Sequence, residues 1–270
     1  MSGGSEMEQV HLLKVDKEDA YDGVIVEMDE PMDPEAFVAA LRASISQWRQ
    51  KGKKGVWIKL RIGLSNLVHP AVEEGFHYHH AEQDYLMLVK WIPTNIPISI
   101  PANASHRVGI GAFVVNSERK VLVVLEKNGV FRGTGVWKLP TGVVEEGEDI
   151  CAAAIREVEE ETGMDTEFVE ILAFRQSHKS FFTKSDLFFV CMLRPKSFNI
   201  KKQEAEIEAA KWMPIEDYSE QTFVKENQQF DLIAKICIER LNEQTTGFIP
   251  KAVIKGGGRK NLVYCPKSQL

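Results

Sequence analysis

The amino-acid sequence predicts an α/β fold in two parts, and three observations carry that reading. Short runs rich in Val, Ile, Phe and Trp alternate with amphipathic helical runs along most of the chain. The stretch 93–104 holds Pro93, Pro97 and Pro101, a composition that reads as a linker. Between two strand-like regions, GVVEEGEDICAAAIREVEEETGM (142–164) gathers eight acidic side chains into 23 residues beside a run of alanines. At 270 residues the chain is long enough for two modest domains, each with its own core.

Composition narrows the function classes. The chain is 44% hydrophobic and 27% charged, as expected for a globular protein. No apolar run approaches the ~20 residues that a membrane helix needs. A net charge of −6 argues against non-specific binding of nucleic acid. Cys151, Cys191, Cys237 and Cys265 form no CxxC pair, which suits a reducing compartment. The polar, acidic start shows neither a secretory signal nor a transit peptide, so a cytoplasmic home is expected.

Element by element, residues 1–20 read as mobile and YDGVIVEM as a strand. Asp33 reads as an N-cap with Pro34 at the first helical position, and Phe37, Leu41, Ile45 and Trp48 form one stripe of that helix. GVWIKL predicts a strand, LSNLVHPAVEEG a short helix and FHYHHAEQDYLMLVKWI a hairpin. These make a small α/β unit over 21–92. Strict alternation puts His77 and His79 on one sheet face and His80 on the other, as ordinary sheet histidines. After the linker, HRVGIGAFVVN and KVLVVLEK predict strands, and GVWKLPTG ends another. The acidic stretch predicts a helix closed by Gly163. FVEILAFRQSH, DLFFVCMLRP and EIEAAKWMP predict strands, and IEDYSE and FDLIAKICIERLNEQ helices. This second domain spans 105–245, and 246–270 reads as a tail, mobile from the glycines at Gly256.

The acidic stretch carries chemistry. On a helix Glu157, Glu160 and Glu161 stand at i, i+3 and i+4, so three carboxylates share one face. Each like-charge pair costs a few tenths of a kcal/mol, roughly, when left bare. Hard cations such as Mg²⁺ or Mn²⁺ remove that cost, since they prefer carboxylate oxygens, waters and phosphates. Ile150, Ala154 and Val158 line a different stripe that can pack on a sheet. Arg156 is placed to hold Glu148 by charge-assisted hydrogen bonds. Gly142 lets the loop backbone approach the ion.

Gly142, Glu148, Arg156, Glu157, Glu160, Glu161 and Gly163 match the Nudix box, Gly-x5-Glu-x7-Arg-Glu-U-x-Glu-Glu-x-Gly-U with U aliphatic, at every position. The chain therefore resembles the Nudix hydrolases. The segments KGKKGVWIKL, EGFHYHHAE, PANASHRVGIGAFV, VWKLPTGVV and EIEAAKWMPIEDY resemble a plant group within that family, which acts on ADP-ribose and NADH. The likeness runs from about Tyr21 to Phe248.

The resemblance implies an α/β/α sandwich with a mixed sheet, preceded by a small acetyltransferase-like half domain. It implies metal-dependent hydrolysis of the pyrophosphate of a nucleoside diphosphate derivative, with Mg²⁺ or Mn²⁺ on Glu157, Glu160 and Glu161, Glu148 in support and Arg156 orienting the glutamates. In some members the base lies outside the box, and Glu206 in KQEAEIEAAKW is the favoured candidate here. Arg107, Arg175 and Lys179 are candidates for substrate phosphates, Phe131 and Trp137 for stacking on adenine. The family's tags for ADP-ribose and NADH downstream of the box, and for coenzyme A upstream of it, are absent, so the substrate rests on whole-chain likeness. The N-terminal unit is expected to form a homodimer or to wall the substrate cleft. A nucleotide sensor on the same fold, an interaction protein working through 21–92, and a hydrolase of coenzyme A, FAD or diadenosine polyphosphates stay open as alternatives.

Overall fold

Residues 11–254 and 260–267 are described by the computed structural model of the chain, which divides into two units, Met1–Ala104 and Ser105–Leu270. In the first unit β1 (Lys17–Glu18), β2 (Val24–Met28), β3 (Gly55–Arg61), β4 (His77–Ala81) and β5 (Tyr85–Trp91) form one sheet in the order β1-β2-β3-β5-β4. Only β2 and β3 run parallel. Helix α1 (Pro34–Gln50) makes that crossover. Its Asp33 cap accepts from the N–H groups of Glu35 and Ala36 at 3.0 and 3.1 Å. Phe37, Leu41, Ile45 and Trp48 are buried in the core with Val24, Val26, Val56, Ile58, Leu60 and Leu88. Each such side chain contributes about 1.5–3 kcal/mol on burial. A 3₁₀ turn (Ile62–Leu67) and α2 (Val68–Glu73) adjoin that core.

Three expectations for this unit change. Residues 1–10 lie outside the described residues, but 11–20 are tied down. Leu13 is buried, its N–H donates to Ser44 Oγ at 2.8 Å, and β1 pairs with β2. The proline-rich 93–104 segment is no free spacer: Trp91 Nε1 donates to the Ile96 carbonyl at 3.0 Å, and His79 Nε2 bonds the Pro101 carbonyl at 2.9 Å. A β-bulge between Tyr78 and His80 breaks the alternation of the histidines. His79 and His80 are therefore neighbours, Nδ1 to Nδ1 at 2.7 Å, rather than on opposite faces.

The second unit is an α/β/α sandwich. Its six-stranded sheet runs β13-β12-β9-β10-β6-β8, from β6 (His106–Val114), β8 (Thr141–Val143), β9 (Thr166–Phe181), β10 (Lys184–Pro195), β12 (Phe248–Ile254) and β13 (Lys260–Pro266). Strands β6 and β10 are parallel and the other pairs antiparallel. Strands β7 (Lys120–Glu126) and β11 (Ile207–Pro214) pair separately.

Period-2 alternation in β6 feeds two cores. Ile110, Ala112 and Val114 pack with Ala153, Ala154 and Val158 of α3 (Ile150–Thr162). Phe113 and Val115 pack with Ala234 and Cys237 of α6 (Gln228–Leu241) and with Tyr218 of α4 (Ile215–Glu220). The short α5 (Thr222–Glu226) adds Val224 to that second core.

In GVWKLPTG the strand is confined to Thr141–Val143, and Lys138 makes only an isolated bridge to Val124. The segment 246–270 is more than a tail: Phe248–Ile254 and Lys260–Pro266 form a hairpin whose Phe248 pairs with Ile171. Residues 255–259, on which the expected mobility from Gly256 rests, lie outside the described residues. The hairpin is anchored by Glu170, which is 1% exposed, accepts the Gly247 N–H at 2.7 Å and pairs with Arg240 of α6. Arg240→Ala leaves that carboxylate buried with its charge uncompensated, and is expected to destabilise the protein by about 3 kcal/mol. A urea-unfolding loss below about 1 kcal/mol would show that the pair anchors nothing.

Candidate active site

The acidic residues converge because α3 starts and stops where it does. Its first turn is set by Asp149, whose carbonyl accepts from the N–H groups of Ala152 and Ala153. Its end is fixed by Gly163 at φ +64, a left-handed cap that also lies against Lys201, which a Cβ would approach to 2.9 Å. With Ala153, Ala154 and Val158 buried against the sheet, the register of the helix is set and the glutamates are turned toward β8.

Arg156 binds them together. Its Nε and Nη2 grip Glu148 at 2.8 and 2.9 Å, a bidentate clamp. Its Nη1 reaches Glu157 at 2.9 Å and Glu160 at 3.2 Å, and Nη2 also donates to the Val143 carbonyl at 2.9 Å. Glu148 in turn accepts the Glu145 N–H at 3.0 Å, which folds the 143–148 loop onto the helix. Gly142 is required sterically: a Cβ there would stand 1.7 Å from the Glu157 carboxyl carbon.

The carboxylates are not equivalent. Arg156 holds Glu148 below the usual carboxylate range. Burial raises Glu157 despite Arg156. Glu161 is 7% exposed, and burial pushes it up to about 8, opposed by the charge of Lys138 and by the Thr141 N–H. Its Oε2 is buried with no hydrogen-bond partner. Glu160 is more open, its side chain 56% exposed. No ready-made cage of three or more His, Cys, Asp or Glu ligands stands among the described residues.

Two cavities share Thr141 and Phe188. One, of about 170 Å³, is lined by Phe131, Lys138, Arg175, Tyr218 and Phe230 among others. The other, of about 300 Å³, includes Arg107, Gly142, Ser180, Phe181 and Asp186. Gly111 makes room for Phe188, whose ring a Cβ at that position would approach to 2.8 Å. The guanidinium of Arg175 lies 4.9 Å from the same ring, and that of Arg107 lies 4.1 Å from the Phe181 ring.

Of the residues singled out in sequence, Gly142, Glu148, Arg156, Glu157, Glu160 and Glu161 come together. Phe131 and Arg175 share one cavity and Arg107 lines the other. Trp137 stands apart from the cavities. It packs on the α6-side core, Lys211 covers its ring at 4.2 Å, and it lines neither cavity. Lys179 is exposed at φ +59 and also lines neither. Glu206 is exposed on the 201–206 loop, which meets the end of α3 where the Gln203 N–H donates to the Glu161 carbonyl at 2.9 Å.

Sequence reasoning missed Lys138 and Glu126, which form an ion pair beside Glu161, with Lys138 Nζ also 3.0 Å from Thr141 Oγ1. A lone lysine inside the apolar VWKLP was the available signal.

Comparison with known proteins places this geometry. A family model described as the Nudix hydrolase domain matches residues 15–92, and one described as the NUDIX domain matches 105–234. The chain is 53% identical over 264 residues to Nudix hydrolase 7 of Arabidopsis thaliana, covering 97% of this chain and 93% of that protein. It is 57% identical over 247 residues to Nudix hydrolase 2 of the same plant, covering 92% and 88%. It is 40% identical over 189 residues to the human nucleoside diphosphate-linked moiety X motif 6, covering 69% and 58%.

The raised Glu161 predicts a pH dependence of stability in the metal-free protein. The folded state holds this proton between pH 4.5 and about 8, whereas the unfolded chain has released it. The contribution is therefore fully present below 4.5 and is lost as pH rises through about 8, at up to roughly 1.4 kcal/mol per pH unit. Urea unfolding in chelator should give a lower midpoint at pH 8 than at pH 5, with a flatter slope in Glu161→Gln. Equal slopes in the two proteins would sink this assignment.

Proposed function

We propose a metal-dependent pyrophosphohydrolase of ADP-ribose and NADH from one premise: the chain belongs to the Nudix hydrolase family, whose members act on pyrophosphate-containing substrates. The observation that carries the proposal is the meeting of Arg156, Glu157, Glu160 and Glu161 over a glycine that admits no side chain.

The donor set fits a hard divalent cation, Mg²⁺ or Mn²⁺. It consists of oxygens alone, one of them the unpartnered Oε2 of Glu161, and Glu160 is open to an incoming ion. Glu157, Glu160 and Glu161 would hold the metal together with the Gly142 carbonyl. A bound cation supplies charge neutralisation on the pyrophosphate and a more acidic water.

The chain's own residues do the rest. Arg156 fixes the glutamate side chains so that they need no reordering, and Glu148 holds Arg156. Lys138 and Arg175 present positive charge in a cavity walled by Phe131, Phe188 and Phe230, which suits a phosphate attached to a flat, apolar ring. Arg107 offers a further cation beside Gly142. Glu206 takes the proton of the attacking water as general base. The products are AMP and the other monophosphate.

Incubation with Mg²⁺ or Mn²⁺ and a panel of ADP-ribose, NADH, coenzyme A, FAD and diadenosine polyphosphate tests the reading. ADP-ribose or NADH is expected to be turned over best. No turnover of any member with either metal would end the enzyme assignment, and preference for another member would end the substrate assignment. Glu160→Gln is expected to lower kcat by about 10²-fold or more with the fold intact. Glu206→Gln should lower kcat by at least about tenfold, and a smaller loss removes it as base.

A further inference from the structure

A cavity lies wholly within the first unit, far in sequence from the glutamate helix. It measures about 400 Å³ and is lined by Asp19, Tyr21, Gly23, Gly55, Trp57, Trp91, Ser99, Ile100 and Pro101. That volume falls in the range of small-ligand sites, about 300–1,000 Å³. Strand pairing places the two tryptophans. Gly55 lies opposite Trp91 across the β3–β5 pair, and Trp57 is two residues on along the same face. Gly55 has no side chain to fill the space between the two indoles.

Hydrogen bonds and a ring contact hold the walls. Trp91 Nε1 donates to the Ile96 carbonyl, and Trp57 meets His79 edge-on at 4.9 Å. His79 bonds the Pro101 carbonyl, which fixes the 99–101 wall. Asp19 Oδ1 accepts the N–H groups of Tyr21 and Gly23 at 2.8 and 2.7 Å. A Cβ at Gly23 would stand 2.2 Å from Asp19 Oδ2, so this glycine lets the carboxylate lie against the wall. No Lys or Arg of the described residues pairs with Asp19, and Asp19 is the only charged residue lining the cavity.

Three aromatic side chains and one carboxylate without a paired cation around a half-open cleft select for charge and hydration. A phosphate is repelled by Asp19. A neutral ring satisfies the indoles and leaves the carboxylate without a counter-charge. A weakly hydrated organic cation satisfies both, since aromatic faces and a carboxylate attract positive charge together. We infer that the N-terminal unit binds a small quaternary ammonium compound of choline type in this cavity, a ligand class unrelated to the pyrophosphate substrates of the second unit.

Isothermal titration of the full chain with choline, and with its neutral isostere 3,3-dimethylbutan-1-ol, tests the inference. Choline should bind saturably and the isostere about tenfold more weakly or less. Asp19→Asn keeps an oxygen for both N–H groups and removes the charge; it should weaken choline by about fivefold or more. Tyr21→Ala, at a residue 81% exposed, should weaken it with an unchanged melting temperature. No saturation below about 50 mM choline, equal binding of the isostere, or full affinity in Asp19→Asn overturns the proposal.

Discussion

One guanidinium organises the acidic site. Three carboxylates at i, i+3 and i+4 repel one another, and a fourth on the preceding loop would add to the cost. Arg156 answers this by dividing its N–H groups among Glu148, Glu157, Glu160 and the Val143 carbonyl. The planar fork of arginine makes the clamp bidentate at Glu148, which lysine has no geometry to reproduce. Around that contact the other constraints line up. The β6–β8 pairing sets Gly142 opposite Ile110, the missing Cβ admits Glu157, and the alanine face of α3 fixes which residues face β8. Gly163 then stops the helix directly after its last glutamate and threonine.

How much of this was legible in the sequence follows from the range of the interactions. Helical spacing alone placed Glu157, Glu160 and Glu161 on one face, and the Asp33 cap and the Phe37-to-Trp48 stripe of α1 are equally local. The grip of Arg156 on Glu148, eight residues away, was within reach of the same reasoning. What stayed hidden depends on pairing between distant segments. Lys138 sits beside Glu161 because β7 and β8 carry Glu126 and Thr141 to the end of α3. The position of Trp137 was hidden for the same reason: its neighbour Lys138 turns into the cavity while the indole packs under Lys211. The histidines were misjudged because one bulged residue shifts every side chain after it to the opposite face. The hairpin at 248–266 escaped notice because its anchor is a buried glutamate on β9, more than seventy residues upstream.

The site also has a polarity that no single residue explains. Glu161 is buried, unpartnered at Oε2 and raised, whereas Glu148 is doubly bonded to Arg156 and lowered. From Glu148 on the loop to Glu161 near the helix end, the site passes from a carboxylate already neutralised by protein to one that is not. Lys138 sits at the unsatisfied end but spends its charge on Glu126 as well. The deficit of positive charge is therefore concentrated at Glu161 and the exposed Glu160, which is where a cation gains most by arriving.

The cavities extend that argument to ligands. In the second unit, the two cavities around Thr141 are lined by Lys138, Arg175 and Arg107, with Asp186 as the single carboxylate and Arg175 3.3 Å from it. An anionic phosphate flanked by an apolar ring matches those walls, and the acidic helix supplies the complementary place for the metal that such a phosphate brings. In the first-unit cavity that holds Trp57 and Trp91 the only charged lining residue is Asp19, beside indole and phenol rings. Charge of one sign cannot be favourable in both kinds of cavity. The Asp19 cavity of the first unit and the two around Thr141 in the second thus present charge of opposite sign to a ligand.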